Sequence, residues 1–266
     1  KLTMTNKIHI GPAGLGSVDD AISNLEKFAS LGFKACGIAF TYGPYIKDQE
    51  KAEKIGEAAK KLGIQLSIHA PYFINLNSAE KQKVGASRQR ILSCLKIGTW
   101  LQAKYVVFHP GFYGKMSKEE TYENIKIQMI ELEKERKEKK YTPKLAPETM
   151  GKINVFGSIE EIAQLVRDTK CHACIDFAHI LARYQDGYRV KEALKEFNDL
   201  EELHLHFSGI EYGEKGERKH KKTKISEWKE LLKELPKNKE ILLLCESPSM
   251  IEDSIEGIEV YNSLKK

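Results

Sequence analysis

Eight side chains able to hold a metal ion or move a proton stand in short, mostly apolar settings. They are His69 (SIHAPY), His109 (VVFHPG), Glu148 (LAPET), Asp176 and His179 (CIDFAH), His206 (HLHFSG), His220 in a lysine-rich stretch, and Glu246 (LLLCESP). Imidazole and carboxylate suit zinc and, less strongly, manganese or iron. Eight donors are too many for one ion, because a catalytic zinc takes about three protein ligands and leaves a position open. More than one metal is therefore expected. Neighbouring ions that share a bridging carboxylate serve in-line displacement at phosphorus, and Glu148, between the histidines and the Asp176 group, is the candidate bridge. The other histidines stay outside this set: His9 lacks an evident partner, His172 opens a strand, and His204 lies one layer below His206 on the same strand face, where a hydrogen-bonded core histidine is expected.

Donors so far apart in sequence need a scaffold that gathers them. Short β-branched runs alternate with longer amphipathic runs along the chain, the pattern of repeated βα units and a parallel sheet. Strands are expected at 7–10, 35–39, 65–69, 105–109, 144–148, 173–176, 203–206 and 241–246. Helices are expected near 19–31, 49–62, 79–101, 118–139, 159–167, 190–196 and 227–235, with a last one ending near Ser263. Ser17 with Asp20, Ser117 with Glu120 and Ser158 with Glu161 read as capping boxes, and Gly32 and Gly63 as helix stops. In the first helix Ile22, Leu25, Phe28 and Ala29 share a face that should pack on the sheet. Gly11-Pro12-Ala13-Gly14-Leu15-Gly16 lacks the glycine spacing of a dinucleotide fold, which favours closure over an open sheet. The expected fold is an α/β single domain over 1–266, a (β/α)8 TIM barrel. In such a barrel the donors named above fall at the C-terminal strand ends, where active sites are built.

With 41% hydrophobic and 30% charged residues, the chain reads as an ordinary globular protein without a membrane span. Lys1 to Ile10 lack the features of a secretory signal, so a cytoplasmic setting is expected. The five cysteines fit that setting as reduced thiols, and Cys171-x-x-Cys174 without a second pair reads as buried residues and not as a zinc or redox motif. The net charge of +5 is modest, but Lys215, Arg218, Lys219, Lys221, Lys222 and Lys224 crowd one segment that could meet phosphate.

Taken in order, His69-Ala70-Pro71-Tyr72 with Ile74-Asn75-Leu76, His109-Pro110-Gly111, Pro147-Glu148-Thr149, Asp176-Phe177-Ala178-His179, His206-Phe207-Ser208 and Glu246-Ser247-Pro248 resemble the motifs of endonuclease IV. That is the zinc-dependent apurinic/apyrimidinic endonuclease family of the xylose-isomerase-like barrel superfamily. The resemblance implies His69, His109 and Glu148 on one zinc, and Glu148, Asp176, His206 and Glu246 on a second. His179 and His220 would serve a third, with Glu148 and Glu246 catalytic. It also implies Tyr72 at the lesion with Phe73 as a wedge, and double-stranded DNA with abasic sites or blocked 3′ ends as substrate. The expected reaction is hydrolysis of the phosphodiester 5′ to an apurinic/apyrimidinic site by a monomer using two or three Zn2+, with Mn2+ or Fe2+ as alternatives. Two departures stand out: Arg218 occupies the place of the aspartate two before His220, unless Glu217 or Glu214 substitutes, and Thr41 to Tyr45 lack an arginine that relatives carry for DNA contact. The rival reading is a sugar isomerase or epimerase that uses one metal on Glu148, Asp176, His206 and Glu246, and a third is a noncatalytic binding barrel.

Overall fold

The computed structural model describes residues 7–265, so residues 1–6 of the segment read for an export signal lie outside the described residues. Eight parallel strands, β1 (Lys7–Pro12), β2 (Ala35–Ala39), β3 (Gln65–His69), β4 (Tyr105–Phe108), β5 (Lys144–Pro147), β6 (Cys174–Asp176), β7 (Glu202–Phe207) and β10 (Glu240–Cys245), form two four-stranded arcs. The arcs run β2-β3-β4-β5 and β1-β10-β7-β6. They meet through a parallel bridge between Glu148 and Cys174 on one side and through the Lys34 N–H donated to the Ile10 carbonyl on the other. The sheet therefore closes as a barrel, which removes its edges.

Helices α1 (Ala21–Ser30), α2 (Gln49–Leu62), α3 (Lys81–Trp100), α4 (Lys118–Glu138), α5 (Ile159–Thr169), α6 (Phe177–Tyr184), α7 (Val190–Glu196), α8 (Ile225–Glu234) and α9 (Met250–Ser263) surround it. Ser117 and Ser158 make complete capping boxes, and Gly32 and Gly63 stop α1 and α2 at positive φ. Three expectations change. The Ser17 hydroxyl bonds the Asp20 side chain in a turn, and α1 starts one residue later without a side-chain cap. The buried face of α1 is Ala21, Leu25 and Phe28, with Ile22 exposed. His9 also has a partner, with Nε2 3.2 Å from Glu240 Oε1.

Period-two alternation decides what faces the barrel axis. Ala35, Tyr105, Val107, Ala146, Cys174, Leu242 and Leu244 form one buried interior cluster, while the other strand faces join the helices in the larger core. Continuing the inward set upward from Val107, Ala146, Cys174 and Leu244 leads to His109, Glu148, Asp176 and Glu246. The sequence reading missed the antiparallel hairpin β8 (Gly209–Gly213) and β9 (Gly216–Lys221), which rises from the end of β7 and carries Lys215, Arg218, Lys219 and Lys221 of the lysine-rich segment.

Candidate metal centre

Glu148 is fully buried at the centre of the barrel mouth. Its Oε2 lies 3.2 Å from His69 Nε2 and 2.9 Å from His109 Nε2, and its Oε1 lies 2.8 Å from His206 Nδ1. His206 Nδ1 also meets Glu246 Oε1 at 3.1 Å. Three groups of candidate donors line the mouth, each with its ligand atoms mutually within 4.8 Å: His69, His109 and Glu148; Glu148, Asp176, His206 and Glu246; and His179, Glu217 and His220; a fourth, Cys174, His204 and His206, includes two residues one layer deeper. All eight donors expected from sequence are thus brought together, and Glu148 belongs to two groups.

The local chain explains the aim of each donor. Asp176 ends β6 and, with no intervening loop, caps α6: its Oδ1 accepts the His179 N–H at 2.7 Å. His179 is thereby fixed one turn into the helix. Its Nδ1 donates to the Thr149 carbonyl (2.9 Å), His69 Nδ1 to the Ala70 carbonyl (2.8 Å) and His220 Nδ1 meets Ser208 Oγ (2.6 Å), so each turns its Nε2, the nitrogen that would ligate a metal once deprotonated, to the centre. The roles of Thr149 and Ser208 escaped the sequence reading; their adjacency to Glu148 and to the HxH pair was the only signal.

Glu217 completes the third group, and Arg218 does not. In a regular strand Arg218 and His220 would share a face, but Glu211 pairs with Lys219 and Tyr212 with Glu217, leaving Arg218 as the extra residue of a β-bulge. The bulge resets the alternation, bringing Glu217 Oε2 to 3.4 Å from His179 Nε2. Arg218 turns its guanidinium over Gly213, and Glu214 is exposed in the hairpin turn.

Electrostatics follow from burial and crowding. Burial alone would raise the Glu148 carboxyl, but the His206 charge and the hydrogen bonds from His109, His206 and His69 hold it well below the carboxylate range. Burial lowers His109 despite Glu148, whereas His179 overcomes its burial through Asp176 and Glu217 and rises to about 9. Asp176 is pushed up, chiefly by burial. Its Oδ2 is buried without a hydrogen-bond partner, His179 Nδ1 being 3.6 Å away. An orphaned carboxylate oxygen among three imidazoles and two carboxylates calls for a cation, so the donor set fits divalent metals.

Two cavities share His69, Tyr72, His220 and Glu246: one of about 210 Å³ runs toward Ala13, Gly37 and Met250, and one of about 320 Å³ toward Phe112, Lys152 and Glu217. Tyr72 stands half exposed at their rim, its ring 5.8 Å from His69 and 5.5 Å from His109, and exposed Phe73 lies 6.3 Å from Tyr42. His172 and His204 remain in the core, as expected, on the Glu202 carbonyl and on Ser67 respectively. All five cysteines are buried and unpaired. No helix among the described residues is long and apolar enough to cross a membrane.

The family model described as the xylose isomerase-like TIM barrel matches residues 25–264. An uncharacterised protein of Methanocaldococcus jannaschii is 34% identical over 96% of this chain and 97% of its own length. A probable endonuclease 4 of Thermoplasma volcanium is 31% identical, but over 58% of this chain and 52% of that protein, so the match spans about half of that relative. Among solved structures, SacUVDE superposes with TM-score 0.77 at 15% identity over 98% of this chain and 99% of that one. Endonuclease IV from Thermus thermophilus gives 0.69 at 22% over 97% and 98%. A D-psicose 3-epimerase from Clostridium cellulolyticum gives 0.67 at 14% over 98% and 97%. At those identities the superpositions speak for the fold alone. The endonuclease IV resemblance seen in the motifs recurs in these relatives, and the chain belongs to the xylose isomerase-like TIM barrel family.

Proposed function

We propose that this protein is a metal-dependent phosphodiesterase that cuts duplex DNA 5′ to abasic sites and trims blocked 3′ ends. The observation that carries the reading is the pair of donor groups beyond the quartet Glu148, Asp176, His206 and Glu246: His69, His109 and Glu148 on one side, and His179, Glu217 and His220 on the other. A one-metal isomerase needs the quartet and neither addition. The quartet is also what favours the second reading, a sugar epimerase, and several solved epimerases share the fold.

In this proposal the three groups hold two or three zinc ions, with manganese or iron as substitutes. Bound there, divalent ions would supply Lewis acidity to phosphoryl oxygens and lower the pKa of a coordinated water. The protein's own groups do the rest. Glu148 stays ionised between three imidazoles, so it can serve two of the groups at once. Glu246, sharing His206 Nδ1 with Glu148, is the carboxylate positioned to take the proton of an attacking water. Tyr72 and Phe73 offer aromatic faces to unstacked bases at the rim, and the hairpin lysines attract the phosphate backbone. A cytoplasmic setting accords with five buried, unpaired cysteines, and the reading takes the protein as a monomer.

The test is a duplex carrying one abasic analogue, incubated with the protein with and without chelator, beside a panel of ketoses. The expected result is a chelator-sensitive nick 5′ to the lesion. No nick, with ketose epimerisation by the same sample, would transfer the protein to the rival class.

A further inference from the structure

One donor cluster lies beneath the centre and shares only His206 with its three groups. Cys174 Sγ and the imidazoles of His204 and His206, all buried, offer ligand atoms within 4.8 Å of one another. His206 Nδ1 is committed upward to Glu148 and Glu246, while its Nε2 is buried without a hydrogen-bond partner. His204 Nδ1 faces the Leu242 carbonyl at 3.2 Å, which puts its proton there and leaves a lone pair on Nε2, 2.8 Å from Ser67 Oγ. A thiol and two imidazoles suit soft cations, and thiolate in particular selects them over the harder ions that carboxylates favour. The cavity of about 210 Å³ borders the cluster, since it is lined by His206 and by Ser67, the partner of His204 Nε2.

We propose that Cys174, His204 and His206 form a second, thiophilic metal site that competes with the centre above it for His206. Binding releases two protons to solvent, one from the Cys174 thiol and one from Nε2 of the charged His206, and places the metal on Sγ and on the Nε2 lone pair so exposed. A neutral imidazole holding a metal on Nε2 keeps its proton on Nδ1, so His206 becomes a hydrogen-bond donor to Glu148 and Glu246 and ceases to be a ligand for the upper ions. A soft cation in this pocket, Cd2+ or Cu+, is thus an inhibitor that acts through tautomer exclusion at His206. The binding half stands on its own; the inhibitory half rests on the phosphodiesterase reading.

The experiment uses the whole chain, stripped by chelation, dialysed and titrated with Cd2+. Wild type should show a thiolate-to-cadmium charge-transfer band that saturates near one equivalent, Cys174→Ser should lose it, and His204→Gln should need at least tenfold more Cd2+. A band that persists in Cys174→Ser, or its absence in wild type, overturns the site. Should Cys174→Ser not fold, the His204→Gln titration decides alone. In the nicking assay with Mn2+, normalised to each protein's uninhibited rate, half-inhibition by Cd2+ should require at least tenfold higher concentration in Cys174→Ser. Equal sensitivity overturns the competition while leaving the band to speak for the site. Absence of nicking in every protein would count against the phosphodiesterase and not against the band.

Discussion

Glu148 meets His69, His109 and His206 through two oxygens, and no other carboxylate in the centre belongs to two donor groups. Glu148→Gln keeps the shape but replaces one of the two oxygens with an NH2 that can neither accept from an imidazole nor ligate a metal. Metal content measured on the purified protein should fall by at least one equivalent, and chelator-sensitive turnover should drop by roughly 100-fold or more, the scale on which even supporting residues of metal sites act. Near-normal rates would mean the bridge is misassigned. Glu217 and Arg218 make a sharper pair, because spacing alone pointed at 218. Glu217→Gln should cost one equivalent of metal, whereas Arg218→Ala, whose side chain lies over Gly213, should cost none. The reverse pattern would place the extra strand residue elsewhere.

At the level of elements, what could be read from sequence was whatever repeats with a fixed period. The eight barrel strands follow from apolar runs, and two capping boxes and two glycine stops from local chemistry. The hairpin β8–β9 was invisible because its second strand, GERKHK, is charged throughout and has no buried face to impose alternation. Its docking depends on Gly216, which sits at φ +93° with its α-carbon so close to the β5 loop that an added Cβ would lie 2.1 Å from the Gly151 carbonyl oxygen. Gly216→Ala therefore has to move the hairpin. The expected cost is about 1–3 kcal/mol, the usual scale of a strained backbone position, with loss of the metal held by His179, Glu217 and His220 and retention of the ions around Glu148. Metal content and urea midpoints measured together would test this, and uniform loss of all metal would instead make the hairpin integral to the whole centre.

Across the whole molecule, alternation along the strands places the candidate metal donors at one end of the barrel axis and a charged cap at the other. The cap was not legible in the sequence, since its members lie on six different strands or strand approaches. Glu202 accepts from Tyr105 at 2.8 Å and pairs with Lys104 at 2.7 Å and Lys144 at 2.6 Å, while Glu240 takes Gln65 and His9. Burial would raise the Glu202 carboxyl, but bonds from Lys104, Lys144 and Tyr105 outweigh it and bring it down to about 2. A carboxylate depressed in the folded state stabilises above its unfolded value of about 4.3 and loses that contribution as pH falls through the folded value. Solvent at the two lysines reduces what the shift is worth, leaving about 1–2 kcal/mol at pH 7. Urea unfolding of the chelated protein, with metal absent so that its release in acid does not intrude, should show wild type more stable than Glu202→Gln by that amount at pH 7. The gap should begin to close below about pH 4.3 and vanish near pH 2. A gap unchanged at low pH would mean that Glu202 acts by packing alone, and that the closed end of the barrel is held without its charges.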